Sequence, residues 1–358
     1  MGTIFDYVLT NQKTFAEEAL TALDSLILAQ AAYFDYSQAK AINCFKDLSD
    51  AKMITKMTSH ILGGEDNQRL LQLLCQSRRF QNITWQNFQR KLDPAEEMQF
   101  GAVTFKLTPD TYYIAYRGTN ATVTGWKESL SLSYKRVIPS QKAALHYFKH
   151  IVANNSGHYY LGGHSKGGNL AIYSALAAPV SFQSLLIRCD NFDGPGFLSL
   201  SKQQRQSAKY LQKIIHKYIP EDSLFGTMLD SSDDYVVVKS SSLGPLQHNM
   251  FTWQINDGYF VTANSPTPFA KINRQAIQRW VDETTPEEKA FFLNTLYQLA
   301  EGSDSPYLRD LFSQKGIKSL VMGLLQSKKS SRDIWLKLTL ELIRNYREAI
   351  DRQIRELN

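Results

Sequence analysis

Residues 161–168 read LGGHSKGG and contain the pentapeptide Gly163-His164-Ser165-Lys166-Gly167. A serine hydroxyl is a weak nucleophile at neutral pH, and it becomes reactive when a sharp turn exposes it and a base removes its proton. In a G-x-S-x-G nucleophile elbow, the flanking glycines keep side chains out of that turn. The segment HYYLG before it is strand-like, and GGNLAIYSALAA after it is compatible with a helix. Ser165 is therefore predicted to be a nucleophile between a strand and a helix.

The base that activates such a serine is expected further along the chain, because proteins with this elbow carry their triad in the order Ser, acid, His. Of the seven histidines, only His216 and His248 follow Ser165. His216 lies inside the strand-like segment KIIHKYI, which favours a structural or surface position. His248 lies in GPLQHNMFTW, a loop after a strand, where an imidazole can reach back to the serine. His248 is the predicted base.

The acid that orients the imidazole has two candidates. Asp222, in YIPEDSLFG, directly follows a strand, which is the usual position of a triad acid. Asp193, in NFDGPGF, follows the preceding strand, where a simple turn role before Gly-Pro competes with a catalytic one. The residues favour Asp222 by a small margin and leave Asp193 as the alternative.

An acyl-transfer serine also needs hydrogen-bond donors directed at the developing oxyanion. The backbone amide of Lys166 is one candidate, because it directly follows the nucleophile. The second is expected at the strand end in TYYIAYRGTN, where Gly118 permits a turn and Thr119 offers an amide and a hydroxyl. We expect Arg117 to anchor this loop through an ion pair and the ammonium of Lys166 to point into water.

The segments around these residues alternate between strand-like and helix-like patterns, which predicts an α/β fold with a mostly parallel sheet flanked by helices. GAVTFKL and TYYIAYRG, joined by TPD, predict a hairpin. HYYLGG, SLLIRCDNF, KIIHKYI and YVVVKS predict further strands. A capping box at Thr14 and Glu17 predicts a helix over about 15–33. Residues 35–100 are predicted to form short helices and loops.

Beyond residue 265 the periodicity becomes helical, in PEEKAFFLNTLYQLAEG and in DIWLKLTLELIRNYREAIDRQIREL. Acidic residues dilute the basic side of the second segment, so we expect these helices to pack on the rest of the protein. Docking of a partner or of a membrane surface through them is the alternative. The residues of the second segment predicted to share one face are Ile334, Leu338, Leu342, Tyr346, Ala349 and Ile350.

Composition narrows the class of protein. The 358 residues are 43% hydrophobic and 21% charged, which is typical of a soluble globular protein. The net charge of +6 is spread without a long Lys/Arg run, which argues against a nucleic-acid-binding surface. The lack of a long apolar stretch or signal-like start, and three scattered cysteines, predict a cytoplasmic protein without a transmembrane segment. Neither a metal nor an organic cofactor is expected.

Four segments taken together resemble the class-three, fungal-type lipases: YIAYRGTNATVTGW, LGGHSKGGNLAIYSA, YIPEDSLFGTML and QHNMFTW. The chain is still more similar to an uncharacterised lipase-like family of Gram-positive bacteria, over roughly residues 1–262 and the helical tail. The resemblance implies an α/β-hydrolase fold, a Ser-His-Asp triad and a lid after the oxyanion strand. The positions that match the class-three pattern are Thr119, Trp126, Ser165, Asp222 and His248.

The chain departs from the class-three pattern at two places. The segment Asp222-Ser223-Leu224-Phe225 lacks the proline of the family's D-x-V-P segment, which keeps Asp193 open as the acid. The segment KESLSLSYKRV after Trp126 lacks a large apolar lid. This second departure favours a soluble or short-chain ester over a substrate at an oil–water interface.

The sequence thus predicts a lipase-like α/β-hydrolase domain with N-terminal helices, residues 1–265, and a C-terminal helical region, residues 266–358. The predicted activity is that of a serine esterase, which cleaves a small-molecule or lipid carboxylic ester through an acyl-enzyme. Two alternatives stay open. One is a catalytically silent hydrolase-fold binding or regulatory module. The other is an acyltransferase or thioesterase that uses the same residues.

Overall fold

The computed structural model describes residues 1–120, 122–230, 234–301 and 329–357. Its strands are β1 (Thr84–Asp93), β2 (Met98–Thr108), β3 (Thr111–Tyr116), β4 (His158–His164), β5 (Leu186–Phe192), β6 (Ile215–Pro220), β7 (Val236–Val238), β8 (Ile255–Asn256), β9 (Tyr259–Phe260) and β10 (Thr262–Ala263). Eight of them form one sheet in the order β1-β2-β3-β4-β5-β6-β7-β10, and β8 pairs with β9. Neighbours from β3 to β7 are parallel. β1, β2 and β10 pair antiparallel at the two ends.

Helices cover both faces of the sheet. They are α1 (Ile4–Thr10), α2 (Ala22–Ala31), α3 (Ala51–Thr58), α4 (Gly64–Gln76), α5 (Val123–Ser131), α6 (Pro139–Asn154), α7 (Lys166–Ala177), α8 (Val180–Gln183), α9 (Lys202–Leu211), α10 (Pro268–Glu283), α11 (Pro286–Glu301) and α12 (Lys329–Leu357). Side chains alternate between the faces of each strand. On β3, Tyr113 and Ala115 join the core with the N-terminal helices, whereas Ile114 and Tyr116 join the core with α6 and α7. The predicted α/β fold, with a mostly parallel sheet flanked by helices, and the β2–β3 hairpin are confirmed.

One predicted element boundary is wrong, and one strand was not predicted. The helix expected over about 15–33 begins at Ala22, because the capping box that starts it lies at Thr21 and Asp24. The Thr14–Glu17 pair instead closes a separate turn, with Thr14 N donating to Glu17 Oε2 at 2.7 Å. Strand β1, inside the region predicted as short helices and loops, is a mostly exposed edge strand. Its sequence TWQNFQRKLD lacks an alternating apolar pattern, which is why the prediction missed it.

The C-terminal helices pack on the side of the body that carries α5, as expected. Trp280 of α10 donates from its indole N–H to the carbonyl of Leu338 on α12, at 3.1 Å. The apolar face predicted on α12 is only partly buried, because Leu338 and Ala349 are buried whereas Ile334 and Ile350 remain about 40% exposed. The apolar cluster on this side includes Leu132, Ile138, Leu229, Trp280, Val281, Phe292, Leu293 and Leu338.

None of the helices in the described ranges is long and apolar enough to cross a membrane. The division of the chain at residue 265 stays a prediction.

Candidate active site

Ser165 occupies a sharp turn between β4 and α7. Its φ of 57° and ψ of −131° lie in a region that non-glycine residues rarely adopt, a strain typical of a nucleophile elbow. The backbone N–H of Ser165 donates to the carbonyl of Phe192 at 2.8 Å, which ties the turn to the end of β5. The side chain is half-buried and lines a cavity.

Glycines around Ser165 are required by close backbone contacts. A Cβ on Gly163 would lie 2.4 Å from the carbonyl carbon of Gly167, and a Cβ on Gly167 would lie 2.1 Å from the carbonyl oxygen of Tyr116. A Cβ on Gly168 would lie 2.2 Å from Asn191 Oδ1. The expectation that these three glycines keep side chains out of the turn is therefore confirmed.

The imidazole of His248 is held by Asp193. His248 Nδ1 lies 2.5 Å from Asp193 Oδ2, and the carboxylate is fully buried. The other carboxylate oxygen accepts hydrogen bonds from Ser223 Oγ at 2.5 Å and from the backbone N–H of Gly226 at 3.0 Å. An acid held in this way fixes the imidazole tautomer with its proton on Nδ1 and its lone pair on Nε2.

Ser165 and His248 line the same cavity, which has a volume of about 540 Å³. The hydrogen bonds of the described residues include none between Ser165 Oγ and the His248 ring. Contacts of this kind tighten when a substrate binds. The ring of His248 packs between those of Phe225 and His164, with centroids 4.7 and 4.4 Å away.

Asp222, the acid preferred from the sequence, does not contact His248. Its Oδ2 accepts hydrogen bonds from the backbone N–H of Gly244 at 2.8 Å and from Gln247 Nε2 at 2.9 Å. Its Oδ1 accepts from the hydroxyl of Thr267 at 2.5 Å. The preference for Asp222 is therefore corrected: this carboxylate holds the loop that carries His248, and the structure brings Asp193 to the imidazole.

His164, directly before the nucleophile, holds the same loop from the other side. Its Nε2 lies 2.9 Å from the carbonyl oxygen of His248, and its Nδ1 lies 3.2 Å from the hydroxyl of Tyr33. Burial, followed by the nearby His248, lowers the pKa of His164 well below its ordinary 6.5. A neutral ring can donate from Nε2 and accept at Nδ1. Chain order excluded His164 as the base, and its place beside Ser165 is a signal for a positioning role that the sequence analysis did not use.

The two expected oxyanion donors lie at the elbow. The amides of Thr119 and Lys166 have no acceptor among the hydrogen bonds of the described residues, and both residues line the cavity. The hydroxyl of Thr119 is engaged by Ser129 Oγ at 2.5 Å, so only its amide is free to donate. A Cβ on Gly118 would lie 2.1 Å from the hydroxyl of Tyr33, so a glycine is required in this turn.

The side chain of Lys166 is buried, which corrects the expectation that it points into water. Its ammonium lies 2.7 Å from Glu128 Oε2 and donates to the carbonyl of Gln99 at 2.7 Å. Glu128 belongs to α5 and also accepts from the backbone N–H of Ser140 at 2.8 Å. Burial lowers the pKa of Lys166, and Glu128 opposes that shift. This pair fastens the first residue after Ser165 to α5.

Among the described residues Arg117 has no ion-pair partner, which corrects the role of loop anchor expected from the sequence. Its side chain has no hydrogen-bond or ionic partner within the described residues, although the residue is only 5% exposed. Burial lowers the pKa of this guanidinium to about 10. Arg117 therefore stays a cation at neutral pH, and it lines the cavity that holds Ser165.

The cavity has two unlike walls. One is apolar and comes from α5 and from the loop after β6; the other comes from the N-terminal helices, β1 and the end of β3. Among the described residues, no group of three or more His, Cys, Asp or Glu side chains is arranged to hold a metal ion. The residues of the apolar wall include Trp126, Leu130, Leu132, Phe225, Met228 and Leu229.

A family model described as Mbeg1-like matches residues 74–298. The chain belongs to the Mbeg1-like family. The matched range extends from the end of α4 into α11 and contains Ser165, Asp193 and His248. It also crosses residue 265, the predicted boundary between the two regions.

Among solved structures, the chain is similar to an M37 lipase at 15% sequence identity and a TM-score of 0.35. The match covers 57% of this chain and 67% of that one. No curated protein matches the chain. The finer resemblance to class-three lipases and to proteins of Gram-positive bacteria stays a prediction.

Proposed function

We propose that the protein is a serine hydrolase that cleaves a carboxylic ester through an acyl-enzyme. The observation that carries this proposal is the pairing of a strained serine elbow with an imidazole that lines the same cavity and is held by a buried carboxylate. In the proposed triad, Ser165 is the nucleophile, His248 the base and Asp193 the acid.

In the proposed reaction, Ser165 Oγ attacks the ester carbonyl carbon while His248 Nε2 takes its proton. The carbonyl oxygen becomes an oxyanion that accepts from the amides of Thr119 and Lys166. Collapse of the tetrahedral species expels the alcohol, which receives the proton from His248. A water molecule, deprotonated by the same imidazole, then releases the acid and restores the serine. Asp193 stabilises the imidazolium that forms in each half of the cycle.

The apolar wall supports an ester with an aliphatic acyl chain, as a small molecule or a lipid. Trp126 and Leu130 of α5 and Phe225 of the loop after β6 offer that chain a surface beside Ser165. Acyl transfer to another acceptor and thioester hydrolysis use the same residues, so a panel of esters and thioesters of varied chain length separates them.

Labelling with a fluorophosphonate probe tests the proposal, because the probe reacts with an activated serine. We expect the wild-type protein to be labelled, Ser165→Ala to lose the label, and the exposed control Ser184→Ala to keep it. His248→Asn is expected to slow labelling on the order of 10³-fold or more. A folded wild-type protein that stays unlabelled would support the silent binding module instead. Labelling that persists in Ser165→Ala would assign the reactive group to another residue and overturn the role of Ser165.

A further inference from the structure

The charged side chains that line the cavity are mostly basic. Lys166 is neutralised by Glu128, and Arg90 lies 3.2 Å from Asp35. Arg117 and the exposed Lys56 have no such carboxylate partner within the described residues. The charged residues of the lining are Asp35, Lys56, Arg90, Arg117 and Lys166.

The cation of Arg117 is costly for the folded protein. A buried charge without hydrogen-bond partners loses its hydration, and for Arg117 the electrostatic effects of Asp35 and Tyr33 offset only part of that loss. Its Nε is fully buried and makes no hydrogen bond. The neighbouring strand accommodates the side chain through a glycine, because a Cβ on Gly101 would lie 3.0 Å from Arg117 Nε. An unpaired guanidinium at the wall of a cavity is therefore explained better by a ligand than by stability.

The position of Arg117 relative to the elbow says which part of a substrate it would meet. Arg117 and Thr119 are two residues apart in the turn that leaves β3, and Tyr33, which interacts electrostatically with Arg117, has its hydroxyl beside Gly118 of that turn. Arg117, Arg90 and residues of the N-terminal helices line the basic part of the cavity, whereas α5 and the loop after β6 line its apolar part. With an acyl chain against the apolar part, the alcohol portion of the ester is left to the basic part.

We propose that Arg117 binds an oxyanion group, a phosphate or a carboxylate, carried on the alcohol portion of the substrate. That the ligand is a substrate rests on the proposed ester hydrolysis, whereas the anion site itself does not depend on catalysis. A guanidinium suits this role because its planar fork matches the oxygens of phosphate and carboxylate. Lys56 adds positive charge to the lining of the same cavity.

Calorimetric titration with octyl phosphate and with the neutral octyl glucoside, both below their micelle concentrations, tests the anion site directly. We expect the wild-type protein to bind octyl phosphate on the order of 10- to 100-fold more tightly than octyl glucoside. Arg117→Met is expected to abolish that difference and Arg117→Lys to keep part of it. The control Arg205→Gln removes an exposed charge away from the cavity and should change nothing. Equal affinity of the wild-type protein for both compounds would overturn the inference.

Two further ligands identify the kind of anion. Inorganic phosphate that binds as tightly as octyl phosphate would indicate a site for free phosphate and would overturn the role in the alcohol portion. A monosuccinate ester of octanol that binds as tightly as octyl phosphate would extend the site to carboxylates. If binding of either ligand weakens in Arg117→Met, that binding is assigned to this cavity.

Kinetics then connect the site to catalysis. For 1-octanoylglycerol 3-phosphate and 1-octanoylglycerol, we expect the ratio of kcat/KM values to favour the phosphate about 10-fold or more and to fall to about 1 in Arg117→Met. A merely structural arginine would lower both rates together, and that result would overturn the inference. Failure of Ser165 labelling with intact binding of octyl phosphate would refute the hydrolase proposal and leave the anion site standing.

Discussion

Asp193 and Asp222 each follow a parallel strand of the sheet, β5 and β6, and the carboxylate of each is fully engaged. Asp193 contacts the imidazole of His248 with one oxygen and Ser223 and Gly226 with the other. Asp222 contacts a backbone amide, a side-chain amide and a hydroxyl of the surrounding loops. One carboxylate faces a titratable group in a cavity, and the other holds the loop that carries it.

The position of an aspartate after a strand therefore does not determine its role, whereas the chemical nature of the groups that contact its carboxylate does. The same contrast separates two arginines. Arg79 is paired with Asp24 through two hydrogen bonds, of 2.7 and 2.5 Å, and both side chains are fully buried. Arg117 is similarly buried and has no partner in the described part of the chain. We regard Arg79 as structural and Arg117 as functional.

Substitution of the two aspartates should give the largest difference. Asp193→Asn is expected to lower kcat about 10³- to 10⁴-fold, because the imidazole loses the acceptor that fixes its tautomer. Asp222→Asn is expected to lower kcat no more than about 10-fold, because hydrogen bonds to the loop persist in part. Steady-state hydrolysis of a short-chain ester measures both, with circular dichroism as the control for folding. Equal losses in the two variants would remove the distinction.

Substitution of Arg79 and substitution of Arg117 should have different effects on the unfolding free energy. Arg79→Met leaves Asp24 buried without its cation and is expected to cost about 3–5 kcal/mol of unfolding free energy. Arg117→Met removes an unpaired buried charge and is expected to leave the unfolding free energy unchanged or to raise it. Urea unfolding of both variants measures the two values. A comparable loss in Arg117→Met would make Arg117 a structural residue.

Substitution of Lys166, which is paired with Glu128, should have a smaller effect on the unfolding free energy. Lys166→Met is expected to destabilise the protein by about 3 kcal/mol, because Glu128 is left buried without its cation. The double variant with Glu128→Gln should recover at least about half of that loss, since no charge remains unpaired. A double-mutant cycle in urea reports the coupling. Additive losses would show that the pair does not act as a unit.

The pH dependence of stability should show the smallest effect. The folded protein keeps His164 neutral, whereas the unfolded chain binds a proton near the ordinary pKa of 6.5. The unfolded state therefore binds more protons below about pH 6.5. As the pH falls through this range, the unfolding free energy decreases by at most ~1.4 kcal/mol per pH unit because of this group. Urea unfolding between about pH 5 and 7.5 should show a shallower slope for His164→Asn. An unchanged slope would contradict the neutral assignment.

The sequence predicted those parts of the site whose geometry is local. The strand, the elbow glycines and the helix after Ser165 lie within one short segment, and chain order left few histidines to consider. The choice between Asp193 and Asp222 was not local, because it depends on where Gly244 and Gln247 lie relative to each strand end.

The directions of side chains at the site also could not be predicted from the sequence. Whether Lys166 points inward depends on Glu128, a residue of another helix, and the isolation of Arg117 is visible only once its neighbours are in place. Strand β1 was missed because an exposed edge strand needs no apolar alternation.

In the proposed hydrolase, the packing behind the apolar wall of the cavity bears on the choice of acyl chain. Leu132 and Leu229 line the cavity on one side and belong to the cluster that contains Trp280 and Leu338 of the last helices. This part of the cavity lining is therefore packed against residues more than a hundred positions away from Ser165. Exchange of the final helices between relatives should transfer the preferred length of chain without touching the reacting groups.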